Sequence, residues 1–103
     1  MNSKLDYIRQ LPCLMCGDNT SVEAAHIRFA DPRAAKPITG IGTKSGDRWT
    51  VPLCGACHRS QHSEGERRWW AERHIDPIFI AMALDDAAGD HEAGCQIIES
   101  ARQ

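Results

Sequence analysis

The sequence predicts a small α+β domain stapled from within, and three features carry that prediction. Two C-x2-C pairs, Cys13/Cys16 and Cys54/Cys57, stand 37 residues apart. The first follows a short helix- or turn-like lead-in, the second ends a strand-compatible stretch, and the chain turns helical from Cys57 onward. With only 103 residues, 42% of them apolar, the chain forms one domain whose core is small enough to need a supplementary staple.

The elements follow in order. Residues 4–10 hold Leu5 and Ile8 at helical spacing ahead of Pro12 and read as a short lead-in helix or turn. The first C-x2-C is closed by Gly17 and prolonged by Asp18-Asn19. Residues 21–29 read as a strand containing Val22 and Ile27, and residues 49–53 as a second strand running into the second C-x2-C. Between them, residues 30–48 hold Pro32, Pro37, Gly40, Gly42 and Gly46, so a long loop is expected, of the kind that is functional or mobile. Its glycines are not a P-loop, because G-K-[ST] and a following helix are missing. Ser63-Glu64-Gly65-Glu66 fits a capping box for a helix to about Arg73. Asp76-Pro77 fits an N-cap with proline at the first helical position, Gly89 the stop, and Ile78, Phe79, Met82 and Ala83 the apolar face. Asp90 caps a last helix to about Ala101, with Ile97 and Ile98 to bury.

The cysteines set the chemistry. A C-x2-C turn brings two sulfurs to one point, and two such turns make a closed tetrahedral thiolate cage for zinc, with iron as the alternative ion. A disulfide framework suits an oxidising compartment, whereas this chain shows neither a secretory leader nor a run of ~18 apolar residues, which makes the cytoplasm the expected location. A redox role would need one C-x2-C in a βαβ setting, which is absent. Zinc would then contribute directly to folding, and Cys95 is left over as a small apolar residue of the last helix.

The net charge of −2 conceals an asymmetry: −1 over residues 1–25, +4 over 26–73 and −5 over 74–103. A locally basic middle is what a phosphate backbone would feel, although a mild excess of this size also suits an ordinary solvated surface. His58 follows Cys57 and His62 lies four residues on, so a helix starting at the second cysteine turn stacks both imidazoles on one face, where they can share a metal. His26 ends the first strand. One imidazole on a strand and two on a helix can combine a divalent ion that polarises a phosphate with a free base that activates water.

At these residues the sequence resembles the HNH (ββα-metal) endonucleases. The matching text is C-x2-C, Glu23-Ala24-Ala25-His26-Ile27, and Val51-Pro52-Leu53-Cys54-Gly55-Ala56-Cys57-His58-x3-His62. A finer likeness through His26-Ile27-Arg28, Gly40-x-Gly42-x-Lys44-x-x-Asp47-x-Trp49 and Gly65-Glu66-x-x-Trp69-Trp70 is similar to the phage and prophage branch that includes RecA-dependent recombination-enhancement nucleases. The likeness covers residues 10–80 and leaves a helical extension, about 76–102, largely outside it. It implies a zinc-stapled, treble-clef-like ββα unit over one domain, 1–103, that hydrolyses DNA. His26 would be the general base and Asp47 the residue that orients it. His58 and His62 would hold a catalytic Mg2+ or Mn2+, and Cys13, Cys16, Cys54 and Cys57 a structural Zn2+. Arg28, Lys44 and Arg59 would contact phosphates, and the implied partners are DNA or RecA-coated single-stranded DNA, with no membrane. The pattern departs at Ala25, where many HNH enzymes carry a metal-binding Asp or His; Glu23 or Asp47 are the candidate substitutes. Trp69-Trp70 could stack on bases or belong to the core, and His74 and His91 lack any such context. The alternative reading is a non-catalytic zinc module that binds DNA or a protein partner; a ubiquitin-ligase-like scaffold would need a second, interleaved set of zinc ligands.

Overall fold

The computed structural model describes residues 4–29, 31, 33 and 46–102. The expected loop therefore falls mostly outside the described residues, and with it Lys44. Among the described residues the order is α1 (Lys4–Arg9), β1 (Val22–His26), β2 (Thr50–Cys54), α2 (Gly55–Glu64), α3 (Glu66–Glu72), α4 (Pro77–Asp86) and α5 (His91–Arg102). This is a compact α+β arrangement of one two-stranded sheet and several helices, and no described helix is long and apolar enough to cross a membrane.

β1 and β2 pair antiparallel, with Val22 opposite Cys54, Ala24 opposite Pro52 and His26 opposite Thr50. Pro52 is tolerated because a two-stranded sheet has only edge strands; its carbonyl accepts from Leu14 N at 2.9 Å, tying the first cysteine turn to β2. Every residue of β2 is buried, whereas in β1 only Ala25 is buried and Glu23 is exposed. The core gathers Ile8, Leu11, Leu14, Ile27, Val51, Leu53, Ile78, Leu84 and Ile98 with both tryptophans of α3. Trp69 and Trp70 are each 1% exposed and meet edge to face at 4.8 Å, so both belong to the core.

Two local expectations are corrected. The capping box does not form, because Ser63 lies within the last turn of α2, where its hydroxyl donates to the Ser60 carbonyl at 3.0 Å. The break comes at Gly65, with φ of 87°, and the Glu66 carboxylate turns away to accept from Arg28 N at 2.7 Å. In α4, Asp76 does cap, accepting from Ile78 N, but the buried stripe is Ile78, Ala81 and Leu84 while Phe79 is 43% exposed. The i, i+3, i+6 phase leaves position 79 on the opposite side of the helix.

α5 is packed closely rather than appended. The Tyr7 hydroxyl donates to the Asp90 carbonyl at 2.8 Å, and Gly94 lies against Tyr7 and Leu11 with no room for a Cβ. At its far end the Arg102 guanidinium covers Gly17, whose φ of 80° closes the first cysteine turn.

Candidate metal centres and the histidine cluster

The first centre is built by two turns brought together by the sheet. In the first, Cys13 N donates to the Asp18 carbonyl and Gly17 N to the Cys13 carbonyl, at 2.8 and 2.9 Å, which folds the chain back on itself. The second straddles the end of β2 and the start of α2, beside β1, where Gly55 N donates to the Ser21 carbonyl at 3.2 Å. The helix begins at Gly55, two residues earlier than the expected start at Cys57, which places Cys57 inside its first turn.

All four sulfurs of Cys13, Cys16, Cys54 and Cys57 lie within 4.8 Å of one another, and none is in a disulfide. A tetrahedral zinc ion with Zn–S of about 2.3 Å holds its sulfurs roughly 3.8 Å apart; Cys16 and Cys54 stand at 3.7 Å. Burial opposes ionisation of Cys13, yet backbone N–H groups of Cys16, Cys54 and Met15 aimed at its sulfur bring the thiol below its ordinary value. Burial, with the neighbouring sulfurs of Cys54 and Cys13, pushes Cys57 well up. Four thiolates cannot share so small a space without a cation, so the arrangement fits zinc, which would complete it. Such a cage is closed and offers no open position to a substrate.

The second group lies on the face of β1 turned toward α2. Glu23 Oε1 accepts from His58 Nδ1 at 2.8 Å, and the His58 and His62 Nε2 atoms are 3.1 Å apart, their rings 4.7 Å centre to centre. A carboxylate only accepts, so His58 carries its proton on Nδ1 and presents the Nε2 lone pair toward His62. The imidazoles thus converge as two metal ligands would, with a carboxylate behind one of them in the arrangement that commonly orients a ligating histidine. Gly55 makes room for this group: a Cβ there would lie 3.2 Å from Arg59 Nη1 and 3.4 Å from Glu23 Oε2. Ala25 shares the strand face of Glu23 and is wholly buried. The carboxylate that reaches the histidines therefore comes from two residues earlier than the HNH pattern would place it.

His26, at the end of β1, forms a separate pair: its Nε2 is 3.2 Å from Asp47 Oδ1. By the same donor logic Nε2 carries the proton, and Nδ1 is left as an acceptor. No hydrogen bond or ion pair joins this pair to the Glu23–His58–His62 group among the described residues. Arg28 and Arg59 are exposed, while Lys44 is outside the described residues. His74 and His91 are exposed and belong to neither group; Cys95 is half-buried, with Sγ 3.5 Å from His91 Nε2.

The sequence singles out Glu23 as a substitute ligand but not as the partner of His58 Nδ1. The signal for it was the alternation of β1, which sets residues 23 and 25 on one face. A family model described as a protein of unknown function, DUF968, matches residues 1–89, and the chain belongs to that family. No curated protein and no solved structure matches it.

Proposed function

We propose that this DUF968 chain is a metal-dependent endonuclease that hydrolyses DNA phosphodiester bonds on a ββα-metal scaffold of the HNH type. The observation that carries the reading is the convergence of His58 and His62 Nε2 atoms at 3.1 Å with Glu23 behind His58. A half-buried imidazole held by a carboxylate on Nδ1 and facing a second imidazole one helical turn on has an evident use in holding a divalent cation. The order β1, β2, α2, with His26 at the end of β1 and both imidazoles on α2, gives it further support.

In this reading Asp47 holds His26 by Nε2–H, so that Nδ1 takes the proton from the attacking water as its oxygen bonds to phosphorus. The bond from phosphorus to the 3′ oxygen breaks, leaving a 5′ phosphate and a 3′ hydroxyl. His58 and His62 would hold Mg2+ or Mn2+, which supplies charge stabilisation at the scissile phosphate and the departing oxygen. Arg59, beside Glu23, and Arg28, just beyond His26, are set to bind flanking phosphates. The four-cysteine centre clamps the hairpin to α2 and takes no part in the chemistry.

The test is nicking of supercoiled plasmid and cutting of single-stranded DNA in Mg2+ or Mn2+, with His26→Ala beside the native chain. Divalent-dependent cleavage that falls by at least two orders of magnitude in the variant is expected, as for loss of a general base. Cleavage unaffected by the substitution sinks the assignment. The second reading, a non-catalytic zinc module that binds DNA or protein, is favoured by Ala25, which offers no ligand; binding without cleavage in any divalent ion would establish it.

A further inference from the structure

We propose that a cavity between the exit of β1 and helices α3 and α4 receives one unpaired nucleobase of the DNA strand, close to the phosphate presented to His26. This rests on the nuclease reading and narrows its substrate to DNA with a base out of the stack.

The cavity measures about 570 Å³, within the ~300–1,000 Å³ range of small-ligand sites. Phe29, Trp70 and Pro77 supply apolar wall, and Asp31, Arg33 and Asp76 supply a polar edge. That edge is ordered before any ligand arrives: Arg33 Nη2 bridges Asp31 Oδ2 at 2.8 Å and Asp76 Oδ2 at 2.9 Å. Asp76 is further fixed by capping α4 through Oδ1. The two walls are joined by the bond from Arg28 N to Glu66 Oε1, which ties the β1 exit to α3.

The lining selects the occupant. An apolar wall beside alternating carboxylates and a guanidinium suits a planar ring with N–H donors and carbonyl acceptors on its rim, which describes a nucleobase. Arg67, whose guanidinium lies over the Phe29 ring at 5.0 Å, adds positive charge at the mouth, where the sugar-phosphate of the same nucleotide would pass. The two aspartates disfavour a phosphate inside the cavity itself. Distance selects which base: Phe29 is three residues from His26, at most about 11 Å of extended chain, so the nucleotide is a near neighbour of the one cut. A base inside a duplex cannot enter without being unpaired and extruded from its stack. Single-stranded, gapped or displaced strands are therefore preferred over intact duplex.

The experiment measures binding without cleavage, in Ca2+, using a fluorescent single-stranded oligonucleotide scanned with one abasic site at a time. Affinity is expected to drop about 5- to 100-fold, the loss of one stacked base, at a single position, with the scan flat elsewhere. Phe29→Ala should remove that dependence. Ala71→Phe, which fills the cavity from an exposed position of α3 without deleting a core contact, should do so with an unchanged melting temperature. A flat scan for the native chain, or a positional drop that survives Ala71→Phe, overturns the base pocket. If plasmid is still cut in Mg2+ in that case, the nuclease reading stands without the pocket. If neither binding nor cutting is seen, both fall.

Discussion

Replacing Glu23 separates the proposed catalytic metal site from the stability of the fold. The Glu23 side chain is 54% exposed and that of His58 is 21% exposed, so their ion pair is a surface interaction, of a kind contributing about 0–1 kcal/mol to stability. In Glu23→Ala the melting temperature should therefore fall by no more than about 8 °C. The effect on metal affinity is larger, because His58 loses the acceptor that keeps its proton on Nδ1 and its Nε2 lone pair aimed at His62. Loss of such an outer partner typically weakens metal binding 10- to 100-fold, equivalent to about 1.4–2.7 kcal/mol. Titration of Mn2+ into zinc-loaded protein, followed by electron paramagnetic resonance of the free ion, measures this. Glu23→Gln, which can still accept from Nδ1–H, should recover part of the affinity. An Mn2+ affinity unchanged in Glu23→Ala, or lost only because the variant unfolds, would refute the orienting role.

Other outcomes follow from the packing. Stripping zinc with a strong chelator should melt the domain, since the cage contributes on the order of 10 kcal/mol; an unchanged circular dichroism spectrum in zinc-free protein would contradict that. Gly94→Ala drives a Cβ against the Tyr7 hydroxyl and to 2.8 Å from Leu11 Cδ2. Overpacking costs about 1–3 kcal/mol and exceeds the gain of up to about 1 kcal/mol in helix propensity, so denaturant melts should show net destabilisation. Gln61 is fully buried, and neither its Nε2 nor its Oε1 has a partner. Gln61→Met keeps the volume and removes the unpaired amide, so its stability should match or exceed the native chain by up to about 2 kcal/mol; a clear loss would mean that the amide holds a buried water.

Much of this architecture is legible in the residue order. The cysteine spacing announces the cage because no other arrangement of two C-x2-C turns satisfies four sulfurs so simply, and the i, i+4 spacing of His58 and His62 holds once α2 begins at Gly55. The Asp76-Pro77 start of α4 is legible for a local reason, a side-chain oxygen two residues before an orphan N–H. Tertiary competition hid the rest. Local spacing makes Glu66 a capping partner for Ser63, but its carboxylate instead accepts from the backbone N–H of Arg28, 38 residues away. The exposure of Phe79 and the burial of Trp70 depend on how α3 packs against α2 and α4 against β2 and α5, which local spacing does not encode. The interior Gly94 was the visible sign of α5's close docking, since a mid-helix glycine usually marks a near approach.

The central claim is that the chain holds two metals of different kinds, and diffraction from Mn2+-soaked, zinc-loaded crystals tests it most directly. Anomalous maps at the zinc and manganese edges should place zinc among Cys13, Cys16, Cys54 and Cys57, and manganese on the Nε2 atoms of His58 and His62, with Glu23 on His58 Nδ1. Manganese absent from the two histidines at saturating concentration, with zinc alone in the cysteine cage, would contradict the account and leave a zinc-stapled binding module.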